Sequence, residues 1–216
     1  MRVKAVVYDL DGTLVDSRGD LADSVNAMLA SLGLPRRPDQ IIWSFIGEGS
    51  ELLVRRSLGP SQEHRLPEAM KSWRAEYARR LLVKTRPYPG IRELLALPPG
   101  ARGVLTNKPG GFAREILQGL GMMEAFRAVI GGDEAPRKPA PEGLFALCKA
   151  LGAAPAETLL VGDSTVDVAT GRAARTPVCA VLWGLGTRAD LDAAGPDHLA
   201  ETPEAVAALL RGPAAQ

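Results

Sequence analysis

Cysteine is nearly missing from this chain of 216 residues, which carries only Cys148 and Cys179. The two lie far apart, form no CxxC pattern and have no histidine beside them, which excludes a zinc site of ordinary spacing and suits a reducing compartment. Histidine is equally scarce: His64 and His198 have no metal-ligand spacing to anything and read as surface residues. There is no excess of charge, with Lys+Arg 26 against Asp+Glu 25 and a net charge of +1. That excludes the basic stripe of most nucleic-acid binders, while a small anionic ligand needs only a local positive site. No apolar run approaches the roughly 20 residues that span a bilayer, so no membrane partner is expected. The start, MRVKAVVYDLDG, is positive and then apolar, but charge returns at Asp9 and no small-residue cleavage site follows. It makes a poor signal peptide, and a cytoplasmic location is expected. There is no internal repeat or low-complexity tract, and the Pro/Ala tail over 212–216 is expected to fray.

What is present is 46% hydrophobic and 24% charged residues, enough for one core and a modest accessory domain. Residues 3–8 are β-branched and nearly continuously apolar, the mark of a buried parallel strand, and end in Asp9-Leu10-Asp11-Gly12. From 17 to 82 the pattern turns helical. Leu21, Val25, Met28, Leu29 and Leu32 share a face before Gly33, and further helices are predicted over 40–45, 50–58 and 66–82. Trp43, Phe45 and Trp73 read as the core of this helical block, and the basic run over 79–86 as a solvated helix face.

After Pro87-Tyr88-Pro89-Gly90, strands are predicted over 103–106, 128–131, 158–162 and 178–182, alternating with helices over 111–120, 142–151 and 166–174. This alternation predicts an α/β fold: a Rossmann-like parallel sheet with right-handed crossovers, interrupted by an inserted all-helical unit. The division is residues 1–16 and 86–216 for the α/β core and 17–85 for the helical cap, with hinges at 15–17 and 82–87. Ligands of such folds bind at the carboxyl ends of the strands. Those ends read Asp9-Leu10-Asp11, Thr106-Asn107-Lys108 and Gly162-Asp163-Ser164.

Two carboxylates two residues apart at a strand end repel unless a cation or proton sits between them. Asp163 and Asp167 add further hard oxygen donors, and a few such groups from separate loops suffice for a magnesium ion. Gly12 and Thr13 suit a tight turn whose amides cradle an anion. An isolated Asp-Gly is more often a plain turn; the later segments argue otherwise. Lys138, held in place beside Pro139 and Pro141, reads as functional, whereas Lys108 reads equally well as a surface cation. Ser164 is expected to cap the following helix, and Asp133 to be a turn residue.

YDLDGTLVDS resembles the first motif of haloacid dehalogenase superfamily phosphatases; LTNKP resembles the second, RKPAP the third and VGDSTVD the acidic fourth. The resemblance covers essentially the whole chain, in the family's order. It implies that Asp9 is the nucleophile and forms an aspartyl-phosphate, and that Asp11 protonates the leaving oxygen and then deprotonates water. It implies Thr106, the backbone at Asn107, Gly12 and Lys108 around the phosphoryl oxygens and Lys138 neutralising charge. Magnesium would be held by Asp9, the Asp11 carbonyl and Asp163, with Asp167 nearby. Within the superfamily the resemblance is to phosphoglycolate phosphatases, through VDSRGDLADSVNAMLASLGLP, IIWSFIGEGSELLVRRSLG and YPGIRELL. It implies a loop of Ile46, Gly47, Glu48, Gly49 and Ser50 facing the site, and Arg55 or Arg56 available to a substrate carboxylate. Adjacent arginines on an exposed helix are the competing reading. After the fourth motif, Val168 to Arg175 departs from the family's usual alanine pair.

The expected activity is therefore magnesium-dependent hydrolysis of a small phosphorylated metabolite, 2-phosphoglycolate first, by a monomer or homodimer. An inorganic pyrophosphatase and a phosphosugar phosphatase or mutase keep the same core motifs. A silent binding module would have lost a carboxylate or the lysine.

Overall fold

The first strand, β1 (Ala5–Tyr8), is wholly buried, as its AVVY sequence demands of a strand covered on both faces. It lies at the centre of a six-stranded sheet, seen here in a computed structural model that describes residues 3–97 and 100–211. The other strands of that sheet are β4 (Ala101–Leu105), β5 (Ala128–Ile130), β6 (Thr158–Gly162), β7 (Val178–Val181) and β8 (His198–Ala200). The order is β5-β4-β1-β6-β7-β8 and every pairing is parallel. In register, Val7 of β1 stands between Gly103 of β4 and Leu160 of β6.

Alternation along the strands divides the apolar side chains between two layers. Val6, Tyr8, Val104, Leu159 and Val161 face one side. Their neighbours Ala5, Val7, Leu105 and Leu160 face the other, with Leu144, Leu147 and Leu151 of α7 (Glu142–Leu151) and Val168 of α8 (Thr165–Ala174). On the first side lie α5 (Ile91–Leu95), α6 (Gly110–Gly119) and α10 (Pro203–Arg211). A parallel sheet covered on both faces is the consequence of a strand period of two with crossover helices on each side.

The helical insertion comprises α1 (Arg18–Ser31), α2 (Asp39–Trp43), α3 (Ser50–Leu58) and α4 (Leu66–Arg80), with a 3-10 turn at Pro60–Arg65. Helix α1 packs on α4, and Trp73 of α4 stacks on Tyr77 with ring centroids 5.1 Å apart. Trp73 is buried, as expected of a cap core, while Trp43 and Phe45 are half-buried against the same cluster. The two connections into the insertion pair with each other. Strand β2 (Val15–Asp16) runs antiparallel to β3 (Arg86–Pro87), with Val15 opposite Pro87.

The basic run before β3 is not the uniformly solvated helix face expected. The helix stops at Arg80, and Leu81 and Thr85 are buried. The reason is Asp20 of α1, a fully buried carboxylate that accepts from the Lys84 and Thr85 amides at 2.9 and 2.7 Å and from the Thr85 hydroxyl at 2.7 Å. Strand β8 and helix α9 (Arg188–Ala194) were not anticipated; three residues, His198-Leu199-Ala200, carry no periodicity to read. His198 is accordingly a half-buried strand residue. The tail over 212–216 lies outside the described residues.

Candidate active site

Where β1 ends, the chain must turn, and Gly12 takes φ 87°, a conformation that favours glycine. The turn holds Asp9 and Asp11 at the carboxyl edge of the sheet. Asp9 is buried and accepts the Leu10 amide at 2.7 Å through Oδ1. Beside β1, the end of β6 delivers Asp163, and the first turn of α8 delivers Asp167. Ser164 caps that helix: its hydroxyl accepts from the Asp167 amide at 3.3 Å and donates to Asp167 Oδ2 at 2.5 Å.

Carboxylate oxygens of Asp9, Asp163 and Asp167 lie within 4.8 Å of one another. Lys138 Nζ reaches in from the loop after β5, 2.9 Å from Asp9 Oδ1 and 2.7 Å from Asp167 Oδ1. One ammonium against three buried carboxylates leaves two negative charges uncompensated. Burial accordingly pushes the Asp9 carboxyl up to about 8, opposed by Lys138 and reinforced by Asp167 and Asp163. Burial and then Asp167 push Asp163 up to about 7, against the Leu185 amide and Thr13 hydroxyl that donate to it at 2.7 and 2.9 Å. Burial alone would lower the Lys138 pKa, but Asp167 and Asp9 more than offset it and hold the ammonium charged.

The donor set is all hard oxygen, and its charge deficit is that of a divalent cation, so it fits magnesium. The backbone packs closely around Asp163, where only glycine fits: a Cβ on Gly12 would stand 2.1 Å from Asp163 Oδ2, and one on Gly184 2.3 Å from Asp163 Cβ.

Asp11 belongs to a second arrangement. Lys108 Nζ donates to both of its oxygens, at 2.8 and 2.7 Å, and Ser17 Oγ donates to Oδ1 at 2.5 Å. Lys108 is buried, with its ammonium 4.9 Å from the Tyr77 ring centroid, so the surface reading of this lysine is overturned. Thr106 follows β4 and is buried, its Oγ1 accepting the Lys108 amide at 3.2 Å. The Asn107 side chain is committed to structure. Its Oδ1 accepts the Lys138 amide at 2.8 Å, and its Nδ2 donates to the carbonyls of Lys138 and Gly47 at 3.1 and 3.0 Å. It thereby pins the Lys138 loop to the helical insertion. Asp133 accepts the Gly110 amide at 2.7 Å, a turn residue at the start of α6.

A cavity opens over these groups, lined on the core side by Asp9, Asp11, Thr106, Asn107, Lys108 and Pro109. Its opposite wall is Leu21, Ile46, Gly47, Gly49, Ser50, Leu53 and Trp73 from the insertion. Gly47 and Gly49 therefore face the site as expected, with φ 113° and 99°. Glu48 and Arg55 are not among the lining residues. Glu48 turns to Arg56 at 2.5 Å, and Arg55 is held by Glu51 at 2.8 Å and by Glu63. Carboxylates on the helix and the following turn take Arg55, and Glu48 in the loop before the helix takes Arg56. Ser17, Tyr77 and the Gly184-Leu185 turn complete the site without having been singled out as site residues, and Thr13, expected only in the anion-cradling turn, also gives its hydroxyl to Asp163. Thr13 and Ser17 fall inside the first motif, and Gly184 is signalled only by the Gly-Leu-Gly that follows Trp183.

The chain belongs to the haloacid dehalogenase-like hydrolases, whose family model matches residues 6–181. Within that family it is a phosphatase of the phosphoglycolate phosphatase-like kind, as its relatives place it. It is 39% identical over 198 residues to a phosphoglycolate phosphatase of Nitrosospira multiformis, covering 88% of this chain and 87% of that one. It is 38% identical over 189 residues to an N-acetylmuramic acid 6-phosphate phosphatase of Pseudomonas aeruginosa, covering 85% and 84%. The crystal structure of a predicted phosphoglycolate phosphatase from Haemophilus somnus 129pt superposes with a TM-score of 0.90 at 28% identity, over 96% of this chain and 97% of that one.

Proposed function

We propose that the chain hydrolyses small phosphomonoesters in the presence of magnesium through an aspartyl-phosphate on Asp9, with 2-phosphoglycolate as the leading substrate. The observation that carries this reading is the convergence of Asp9, Lys138, Asp163 and Asp167 under a cavity that also contains Asp11. In the first half-reaction an Asp9 carboxylate oxygen attacks phosphorus and the bond to the leaving oxygen breaks, with Asp11 supplying the proton that oxygen needs. In the second, Asp11 takes a proton from water as the water oxygen attacks phosphorus, and the bond to Asp9 breaks. Thr106 and the backbone beside it receive the phosphoryl oxygens, and Lys138 offsets the charge of two approaching anions. Asp9, Asp163 and the Asp11 carbonyl would hold a magnesium ion, which would supply charge neutralisation. Asp167 stands behind them, committed to Lys138 and Ser164.

The insertion reads as a cap, residues 17–85 on a core of 1–16 and 86–216, that excludes water from the cavity. The protein acts as a cytoplasmic monomer or homodimer on a free metabolite; among the described residues no helix is long and apolar enough to cross a membrane. A phosphosugar is the second substrate reading, supported by the relative that acts on N-acetylmuramic acid 6-phosphate and by the apolar wall of Leu21, Ile46, Leu53 and Trp73. The test is a phosphate-release panel of 2-phosphoglycolate, N-acetylmuramic acid 6-phosphate, other sugar phosphates, pyrophosphate and nucleotides, with and without magnesium. Release is expected to require the metal and to fall at least about 10⁴-fold in Asp9→Asn. Release that persists in that variant removes Asp9 as nucleophile.

A further inference from the structure

The wall of the cavity away from Asp9 contains donors that the hydrolytic groups do not use. Helix α3 begins there, at the lining residues Gly49 and Ser50, and no side chain caps it. The N–H groups of Ser50, Glu51 and Leu52 have no intrahelical acceptor, and the helix end favours negative charge. Trp73, from α4, lines the same cavity. It is 1% exposed, and its indole Nε1 finds no hydrogen-bond partner among the described residues. A buried donor left unpaired is costly, and an acceptor that arrives with a ligand removes that cost.

An exposed cation stands beside Gly49 from the core side, at the edge of the cavity and outside its lining. The Arg137 Nε lies 3.4 Å from where a Cβ on Gly49 would be, and donates to the Gly132 carbonyl at 3.2 Å. Arg137 makes no ion pair among the described residues, whereas Arg55 and Arg56 are both taken by glutamates. Among the described residues the only carboxylates that line the cavity, Asp9 and Asp11, belong to its phosphoryl end.

We propose that the Trp73 indole N–H, the uncapped start of α3 at Ser50 and the Arg137 guanidinium form a second recognition site, which takes a carboxylate on the non-phosphoryl end of the substrate. This rests on the phosphomonoesterase reading and assigns the specificity within it. It gives Trp73 a role beyond packing, and it moves the carboxylate partner from Arg55 in the insertion to Arg137 in the core. Arg137 belongs to the core and Trp73 and Ser50 to the insertion, so the substrate is bound by both.

The test compares 2-phosphoglycolate with 2-hydroxyethyl phosphate, which has the same chain length and a neutral alcohol in place of the carboxylate, both with magnesium. The readout is the ratio of their kcat/KM values. A misfolded variant lowers both terms alike and leaves the ratio alone. In the unaltered protein the ratio is expected to favour the carboxylate by about tenfold or more. In Trp73→Phe, which keeps the stacked ring, or in Arg137→Met it falls toward one through a higher KM for 2-phosphoglycolate, and Arg137→Lys restores part of it. A ratio near one in the unaltered protein, or a ratio unchanged in both variants, overturns this site and leaves the phosphatase reading standing. Failure to hydrolyse these two esters and a generic aryl phosphate overturns both.

Discussion

Asp9 and Asp163 show why single residues of this site cannot be understood apart. Each is a carboxyl that burial holds protonated to unusually high pH, about 8 and about 7, because two other carboxylates share the space and the single charge of Lys138 is divided between Asp9 and Asp167. The effect on stability has a definite sign. In the unfolded chain both groups ionise near 4, so between that pH and 7–8 the folded state binds more protons than the unfolded state. Stability without metal therefore falls as pH rises through this window, and levels off above it. Saturating magnesium chloride is expected to oppose the fall by favouring the ionised carboxylates. Urea denaturation at pH 5.5 and pH 8, with and without the salt, checks this. Stabilisation by magnesium that is no larger at pH 8 than at pH 5.5 would contradict it. At this scale the residues the structure gathers were legible where they fall in short strings, at the strand ends for Asp9, Asp11 and Asp163 and just beyond them for Lys138 and Asp167. Pairing was illegible where the partner is remote: Thr13 meets Asp163 across 150 residues, and Lys108 meets Asp11 across 97. Nor does a helix face reveal which neighbour an arginine prefers, and so Arg55 was placed at the substrate when Glu51 and Glu63 hold it.

Among the elements, the pair of connections into the insertion stands out. A ladder of two residues on each strand is too short to be stable alone, yet β2 and β3 join the insertion to the core. Asp20 supplies the missing hold by gathering the Lys84 and Thr85 amides and the Thr85 hydroxyl onto one buried carboxylate. Asp20→Ala leaves those donors unpaired and is expected to cost about 3 kcal/mol, and Thr85→Val about 1 kcal/mol. Urea denaturation measures both, and a loss under about 1 kcal/mol for Asp20→Ala would show that water replaces the carboxylate without penalty. The strands β1, β4 and β6 and the helices α3 and α7 were readable because their apolar periods are long and bounded by breakers. The connections were read as hinges and not as a ribbon, since Val15-Asp16 and Arg86-Pro87 show no strand pattern and Pro87 argues against one.

Across the whole molecule, sheet order explains why distant motifs act together. With β1 between β4 and β6, a parallel sheet brings the ends of these three strands to one edge, and Lys138 enters over the same edge from beyond β5. The helical insertion, placed directly after the β1 turn, supplies the opposite wall of the cavity. Fold class and site edge followed from alternating strands and helices, and the resemblance implied the loop from Ile46 to Ser50 in the wall; Leu21, Leu53 and Trp73 were not foreseen there, because that depends on how the helices of the insertion sit over the sheet. The central claim is that this edge presents Asp9 to phosphorus while Asp11 serves proton transfer. Its most direct measurement is mass spectrometry of Asp11→Asn, acid-quenched during turnover of 2-phosphoglycolate with magnesium and digested, because slowed hydrolysis of the intermediate lets it accumulate. The account predicts a phosphoryl group on the peptide that contains Asp9, lost in Asp9→Asn; a phosphoryl group on any other residue would contradict it.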